Sequence, residues 1–259
     1  MNKLIVGNWK MFPTLADSQV LAASLKRGLD DLKGVDVVLA PPLPWLVNVK
    51  EIWPHKVSHI SLAAQNIWPE DQGAFTGEVS AYLLKDIIRY AIVGHSERRR
   101  YNQEDNDLIG QKIQACLKWR ITPIVCVGEK KRVLFADGTV DSTQWRLLEE
   151  ELMEALEGIS KDVLEKIVVA YEPVWAVGNN NPAKPEYAVK LIERLRVRVA
   201  EKYGQTGAQA LRFLYGGSVD VAEATDYLRY PDIAGLLVGT ASVKAKNFLD
   251  ICRQASHFH

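Results

Sequence analysis

Short apolar runs punctuate the chain at regular intervals: residues 4–6, 37–39, 61–63, 91–93, 124–127, 167–170, 213–215 and 235–238. Each run is continuous rather than alternating, the pattern of a strand buried on both faces. Stretches of helical period lie between them. Ile109, Ile113, Cys116 and Leu117 share one helical face, and Trp145, Leu148, Leu152 and Ala155 share another. Pro185 marks the start of a longer helix that turns Ile192, Leu195 and Val199 inward, and Glu186 and Lys190 have the i,i+4 spacing of an ion pair.

Eight strand–helix steps in 259 residues make about 32 residues per step, the size of one βα unit. Such steps close as a doubly wound open sheet or as an eight-fold barrel. An open sheet that holds a dinucleotide carries G-x-G-x-x-G after its first strand, whereas here that strand runs into Gly7-Asn8-Trp9-Lys10. The pattern predicts an α/β chain folded as a (β/α)8 barrel, one domain over residues 1–259.

Composition narrows the function. Lys plus Arg and Asp plus Glu both number 32, so no global charge draws nucleic acid or an anionic membrane, and an anionic ligand needs a local positive site. No apolar window approaches the ~20 residues of a membrane span. The apolar run at 4–6 is too short for a signal peptide, and Cys116, Cys126 and Cys252 are odd in number and far apart. Both features predict a cytoplasmic, reduced protein.

In a barrel the chemistry gathers where strands end and loops converge. Asn8 and Lys10 close strand 1, and period-2 alternation puts them on one side. They read either as a solvated terminus or as the local cation that a phosphate needs. Strand 4 ends in Gly94-His95-Ser96-Glu97-Arg98-Arg99-Arg100. A lone histidine there has a structural reading as well as a chemical one, but Glu97 and the arginines can orient and charge-balance a site. The arginine run pairs naturally with Glu104, Asp105 and Asp107 rather than with nucleic acid. Glu172 follows strand 6 directly, so it is expected to be desolvated, which strengthens a carboxylate as a base; the competing reading is a capping or ion-paired glutamate.

The segment after Glu172 runs Pro173-Val174-Trp175-Ala176-Val177-Gly178-Asn179-Asn180-Asn181, the composition of a lid with small-residue hinges. Strands 7 and 8 end in Gly216-Gly217-Ser218 and Gly239-Thr240, whose backbone N–H groups suit an anion. His55 and His59 are spaced for a metal but lack a third ligand nearby, His257 and His259 lie in the tail, and Cys126 reads as a buried small residue.

Seven segments together carry a resemblance: Gly7-Asn8-Trp9-Lys10, Ala64-Gln65-Asn66, Gly73-Ala74-Phe75-Thr76-Gly77-Glu78, Gly94-His95-Ser96-Glu97-Arg98-Arg99, Cys126-Val127-Gly128-Glu129, Ala170-Tyr171-Glu172-Pro173-Val174-Trp175-Ala176 and Tyr215-Gly216-Gly217-Ser218. In this order and spacing the chain resembles the triosephosphate isomerase family. The resemblance implies a single-domain TIM barrel that interconverts dihydroxyacetone phosphate and D-glyceraldehyde 3-phosphate through an enediol, in glycolysis and gluconeogenesis. It implies Glu172 as base, a neutral His95 as electrophile, Lys10 offsetting substrate charge and Asn8 adding a hydrogen bond. Gly178, Ser218, Gly239 and Thr240 would present backbone N–H groups to the phosphate, with Ser96 and Glu97 supporting the site. The loop around Thr76 would enter a second subunit to make a homodimer. No metal or organic cofactor is implied.

The chain departs from the family in two places. The lid usually reads Ile-Gly-Thr-Gly-Lys and here reads Val177-Gly178-Asn179-Asn180-Asn181, which predicts a working lid with altered closing kinetics. Thr240 stands where the family usually has a second glycine, and its β-branched side chain is expected to narrow the approach to the phosphate. Two other functions compete: a paralogue that isomerises a four-carbon ketose phosphate, and a barrel kept only as a non-catalytic scaffold. Lys10, His95 and Glu172 together argue against the second.

Overall fold

A computed structural model describes residues 1–53, 59–134, 138–176 and 182–258. Eight parallel strands among them close into a barrel in sequence order. They are β1 (Lys3–Asn8), β2 (Val35–Ala40), β3 (Ile60–Ala64), β4 (Tyr90–Val93), β5 (Thr122–Val127), β6 (Val168–Tyr171), β7 (Arg212–Tyr215) and β8 (Gly235–Val238), with β8 pairing back onto β1. The helices outside are α1 (Leu15–Leu29), α2 (Leu46–Ile52), α3 (Ala81–Leu84), α4 (Ser96–Tyr101), α5 (Asn106–Lys118), α6 (Ser142–Ala155), α7 (Pro185–Ala210), α8 (Ala224–Leu228) and α9 (Ala245–Ala255). The expected (β/α)8 barrel is therefore present. β6 begins one residue later than the apolar run suggests, because the Ile167 N–H still closes a turn onto the Leu164 carbonyl.

The continuous apolar runs have the physical cause expected of them. One alternate set fills the barrel: Leu4, Val6, Val38, Ala40, Ala63, Ile92, Ile124, Cys126, Val168, Ala170, Leu214 and Leu237 form one buried cluster. That number, among the described residues, matches three layers of four side chains, so the interior is packed rather than open. The other set, including Ile5, Val37, Leu39, Val93, Val125, Val169 and Phe213, packs against the helices.

The helical faces behave similarly. Ile109, Ile113, Cys116, Leu148, Leu152, Ala155, Ile192, Leu195 and Val199 are buried, while Leu117 and Trp145 are only half-buried. Glu186 does not pair with Lys190; it accepts from the Tyr230 hydroxyl at 2.9 Å.

The interior series also sets the site. Continuing the same alternation past each strand end leads from Leu4 and Val6 to Asn8, from Ala63 to Gln65, from Val168 and Ala170 to Glu172, from Leu214 to Gly216 and from Leu237 to Gly239. These residues form the roof of the packed interior, at the end where the strands' C-termini converge.

Candidate active site

Asn8, Lys10, His95, Glu172, Ser218, Gly239 and Thr240 line one cleft of about 440 Å³ over that roof. Seven positions read separately from strand ends thus meet in one place.

β1 ends at Asn8, so strand alternation does not carry Lys10 into the cleft. Lys10 instead has a left-handed backbone, φ 49°, uncommon outside glycine. Two side chains hold it there. The Asn8 Oδ1 accepts the Lys10 N–H at 3.0 Å, and the Gln65 Nε2 donates to the Lys10 carbonyl at 2.9 Å. The ammonium then meets Glu97 Oε1 at 2.6 Å and lies beside Gly239, where an added Cβ would stand 4.0 Å from Nζ.

His95 is the N-cap of α4, and its Nδ1 accepts the Glu97 backbone N–H at 3.2 Å. A ring whose Nδ1 accepts carries its proton on Nε2. That Nε2 lies 3.3 Å from Glu172 Oε1. Glu172 is only 2% exposed, which bears out its expected desolvation. Its second oxygen accepts the Ser96 N–H at 3.4 Å. Ser96 and Glu97 therefore stand behind Glu172, His95 and Lys10.

Cys126 lies under Glu172. Burial, and then the charge and hydrogen bond of Glu172, push its thiol well above the ordinary value, which favours the protonated form.

The segment beyond Glu172 is rooted in an aromatic cluster. Pro173 leads into a short 3₁₀ turn, Val174–Ala176, in which the Ala176 N–H donates to the Pro173 carbonyl at 2.7 Å. The Val174 N–H donates to the Glu129 carbonyl at 3.0 Å. The Trp175 indole N–H donates to Glu129 Oε1 at 2.7 Å, joined there by the Tyr171 and Tyr187 hydroxyls. Burial raises the Glu129 carboxyl, against the lowering effect of those donors. On the far side the Ala183 N–H donates to the Tyr215 hydroxyl at 3.1 Å, and the Tyr227 hydroxyl donates to the Ala183 carbonyl at 2.5 Å. Val177, Gly178, Asn179, Asn180 and Asn181 lie outside the described residues, as do His55 and His259.

Thr76 does not line this cleft; it is exposed in a turn closed by the Glu78 N–H onto the Phe75 carbonyl. His59 Nε2 lies 2.8 Å from the Leu29 carbonyl. Among the described residues no group of three or more His, Cys, Asp or Glu is arranged to hold a metal ion. Among them, too, no helix is long and apolar enough to cross a membrane.

The family model described as triosephosphate isomerase matches residues 3–255. The chain belongs to the triosephosphate isomerase family. It is similar to the triosephosphate isomerase of Dehalococcoides mccartyi, 40% identical over 253 residues that cover 98% of this chain and 96% of that protein. The one from Syntrophotalea carbinolica is 42% identical over 250 residues, 96% of each chain. That of Thermus thermophilus is 41% identical over 253 residues, 97% of this chain and 98% of its own.

Sequence reading missed several residues of the cleft. Gly216 was read only as part of an anion cradle, and Asp220, Glu223 and Lys244 were not singled out. The signal for Lys244 is its position. It immediately precedes the apolar face of α9, where the helix dipole favours an anion and disfavours a cation.

Proposed function

We propose that this chain interconverts dihydroxyacetone phosphate and D-glyceraldehyde 3-phosphate through an enediol. The observation that carries the reading is the 3.3 Å approach of His95 Nε2 to the buried Glu172 carboxylate, in a cleft that Lys10 also lines. Proton abstraction beside a carbonyl needs a base and a donor aimed at the developing oxyanion. Glu172 takes the carbon-bound proton and returns it to the neighbouring carbon. His95 polarises the carbonyl with its Nε2–H. Lys10 offsets negative charge, and Asn8, whose Oδ1 is committed to the Lys10 backbone, donates through its amide nitrogen. Backbone N–H groups of Ser218, Gly239 and Thr240 receive the phosphate, with Gly178 from the family pattern. The segment 173–181 then serves as the lid that excludes water from the enediol. The barrel works as one catalytic domain, as a homodimer through the loop around Thr76. The cytoplasm is the compartment that fits its three buried free cysteines.

A coupled assay of glyceraldehyde 3-phosphate turnover tests this, with Glu172→Asp and His95→Gln as controls. Glu172→Asp keeps the charge but withdraws the carboxylate by one methylene, so kcat falls more than KM changes. An unchanged kcat removes Glu172 from the role of base. The four-carbon ketose phosphate reading retains one observation in its favour, Thr240 on the cleft wall in place of the family's usual glycine. Competing kcat/KM values on triose and tetrose phosphates separate the two.

A further inference from the structure

The cleft has a charge problem. Its substrate under the reading above is a phosphate dianion, yet Glu172, Asp220 and Glu223 all line it. The lysine expected to offset that charge, Lys10, is already held at 2.6 Å by Glu97. Asp220 is fixed in place as an acceptor for the Ala222 and Glu223 N–H groups, at 2.8 and 3.2 Å. Lys244 is the remaining cation of the lining among the described residues. It is exposed, makes no side-chain capping hydrogen bond, and has no ion-pair partner among them. It also stands at the N-cap of the eleven-residue α9, where a positive charge opposes the helix dipole. The fold therefore gains nothing electrostatically from a cation at this position, while the cleft's other lysine, Lys10, is already ion-paired.

We propose that Lys244 is a phosphate-binding residue of this site, supplying the uncompensated positive charge that draws the dianion past Asp220 and Glu223. The proposal rests on the isomerase reading for its substrate, but its core claim concerns phosphate alone. One unit charge acting on a dianion near the surface is worth about a tenfold change in affinity.

The test titrates inorganic phosphate calorimetrically into the full-length wild type, Lys244→Met, Lys244→Arg and Glu223→Gln, at low and moderate salt. Phosphate binding is expected to weaken about tenfold in Lys244→Met and to lose part of its salt dependence. Lys244→Arg keeps it within about threefold, and Glu223→Gln strengthens it. In steady-state kinetics the Lys244→Met variant raises KM for triose phosphate with kcat within about twofold. Its turnover of unphosphorylated glyceraldehyde is unchanged, which a merely structural role would not produce. Equal phosphate affinity in Lys244→Met and wild type overturns the proposal, as does a fall in kcat at constant KM. Lys244→Gln replaces Lys244→Met if the latter does not fold. A wild type without triose phosphate turnover sinks the isomerase reading instead, and the phosphate titration still decides the role of Lys244.

Discussion

Gly216→Ala separates two roles that one glycine could play. Its sequence context suggests a backbone N–H for an anion, but the geometry ties it to Glu172. A Cβ at position 216 would stand 2.7 Å from Glu172 Cγ and 3.3 Å from Glu172 Oε1. Non-bonded carbons rest at about 3.5–4.0 Å, so Glu172 must retreat by about 1 Å. The carboxylate has little room to do so, since Oε1 faces His95 and Oε2 faces the Ser96 N–H. Misplacing a reacting group by about 1 Å costs about 100-fold in rate. Overpacking costs about 1–3 kcal/mol, partly offset by about 0.4–1 kcal/mol from stiffening the unfolded chain. The melting temperature should fall by a few degrees, about 2–4 °C per kcal/mol for a chain of this size. Steady-state kinetics on purified Gly216→Ala, beside a thermal melt, should show kcat down by one to two orders of magnitude with KM nearly constant. A raised KM with unchanged kcat refutes the reasoning and returns Gly216 to the anion.

Other perturbations test the frame around the site. Lys112 is fully buried, donating to Glu104 Oε1 at 2.6 Å and to Asn66 Oδ1 at 2.7 Å. Lys112→Met leaves the buried Glu104 with Arg98 as its one cationic partner among the described residues and should cost up to about 3–5 kcal/mol in a denaturant melt; a loss below about 1 kcal/mol would show that Arg98 alone satisfies it. Glu129 tests pH linkage. Its folded-state carboxyl is raised above the ordinary value by burial, so the folded chain binds more protons between the two values. Its contribution to stability is full below the unfolded pKa and is lost as pH rises through the folded one. The stability of wild type relative to Glu129→Gln should therefore decline as pH climbs above the ordinary glutamate range, and a rising difference contradicts the assignment. Thr76→Arg at the exposed turn should shift sedimentation from dimer to monomer, and a variant that sediments as the wild type does would remove this loop from the interface.

The barrel was legible because both faces of its strands are buried. Continuous runs such as residues 124–127 have no polar alternate to blur them, and eight of them leave few closures. Glu172 and Asn8 were legible for a related reason: each continues the inward alternation of its strand past the packed layers, where a polar side chain can only face the cleft. Lys10 reached the cleft by another route. The alternation that suggested it stops at Asn8, and a left-handed residue held by Asn8 and Gln65 does the rest. No local pattern encodes that, because Gln65, just past the end of β3, is 55 residues away.

The Gly216-Gly217 pair shows the same limit from the other side. Flexible glycines after strand 7 suggest a phosphate cradle, and nothing local distinguishes that from a steric need. In three dimensions a Cβ on Gly216 would strike Glu172, and one on Gly217 would lie 2.2 Å from the Tyr215 hydroxyl that receives the Ala183 N–H. Gly128 completes the set, since its Cβ would fall 1.7 Å from the Glu172 carbonyl oxygen. Gly216, Gly217 and Gly128 thus make room for Glu172 and for the anchor of the segment that follows it. Glycines committed to steric room leave attraction of the anion to the remaining backbone N–H groups and to charge, the part proposed above for Lys244 at the cleft wall.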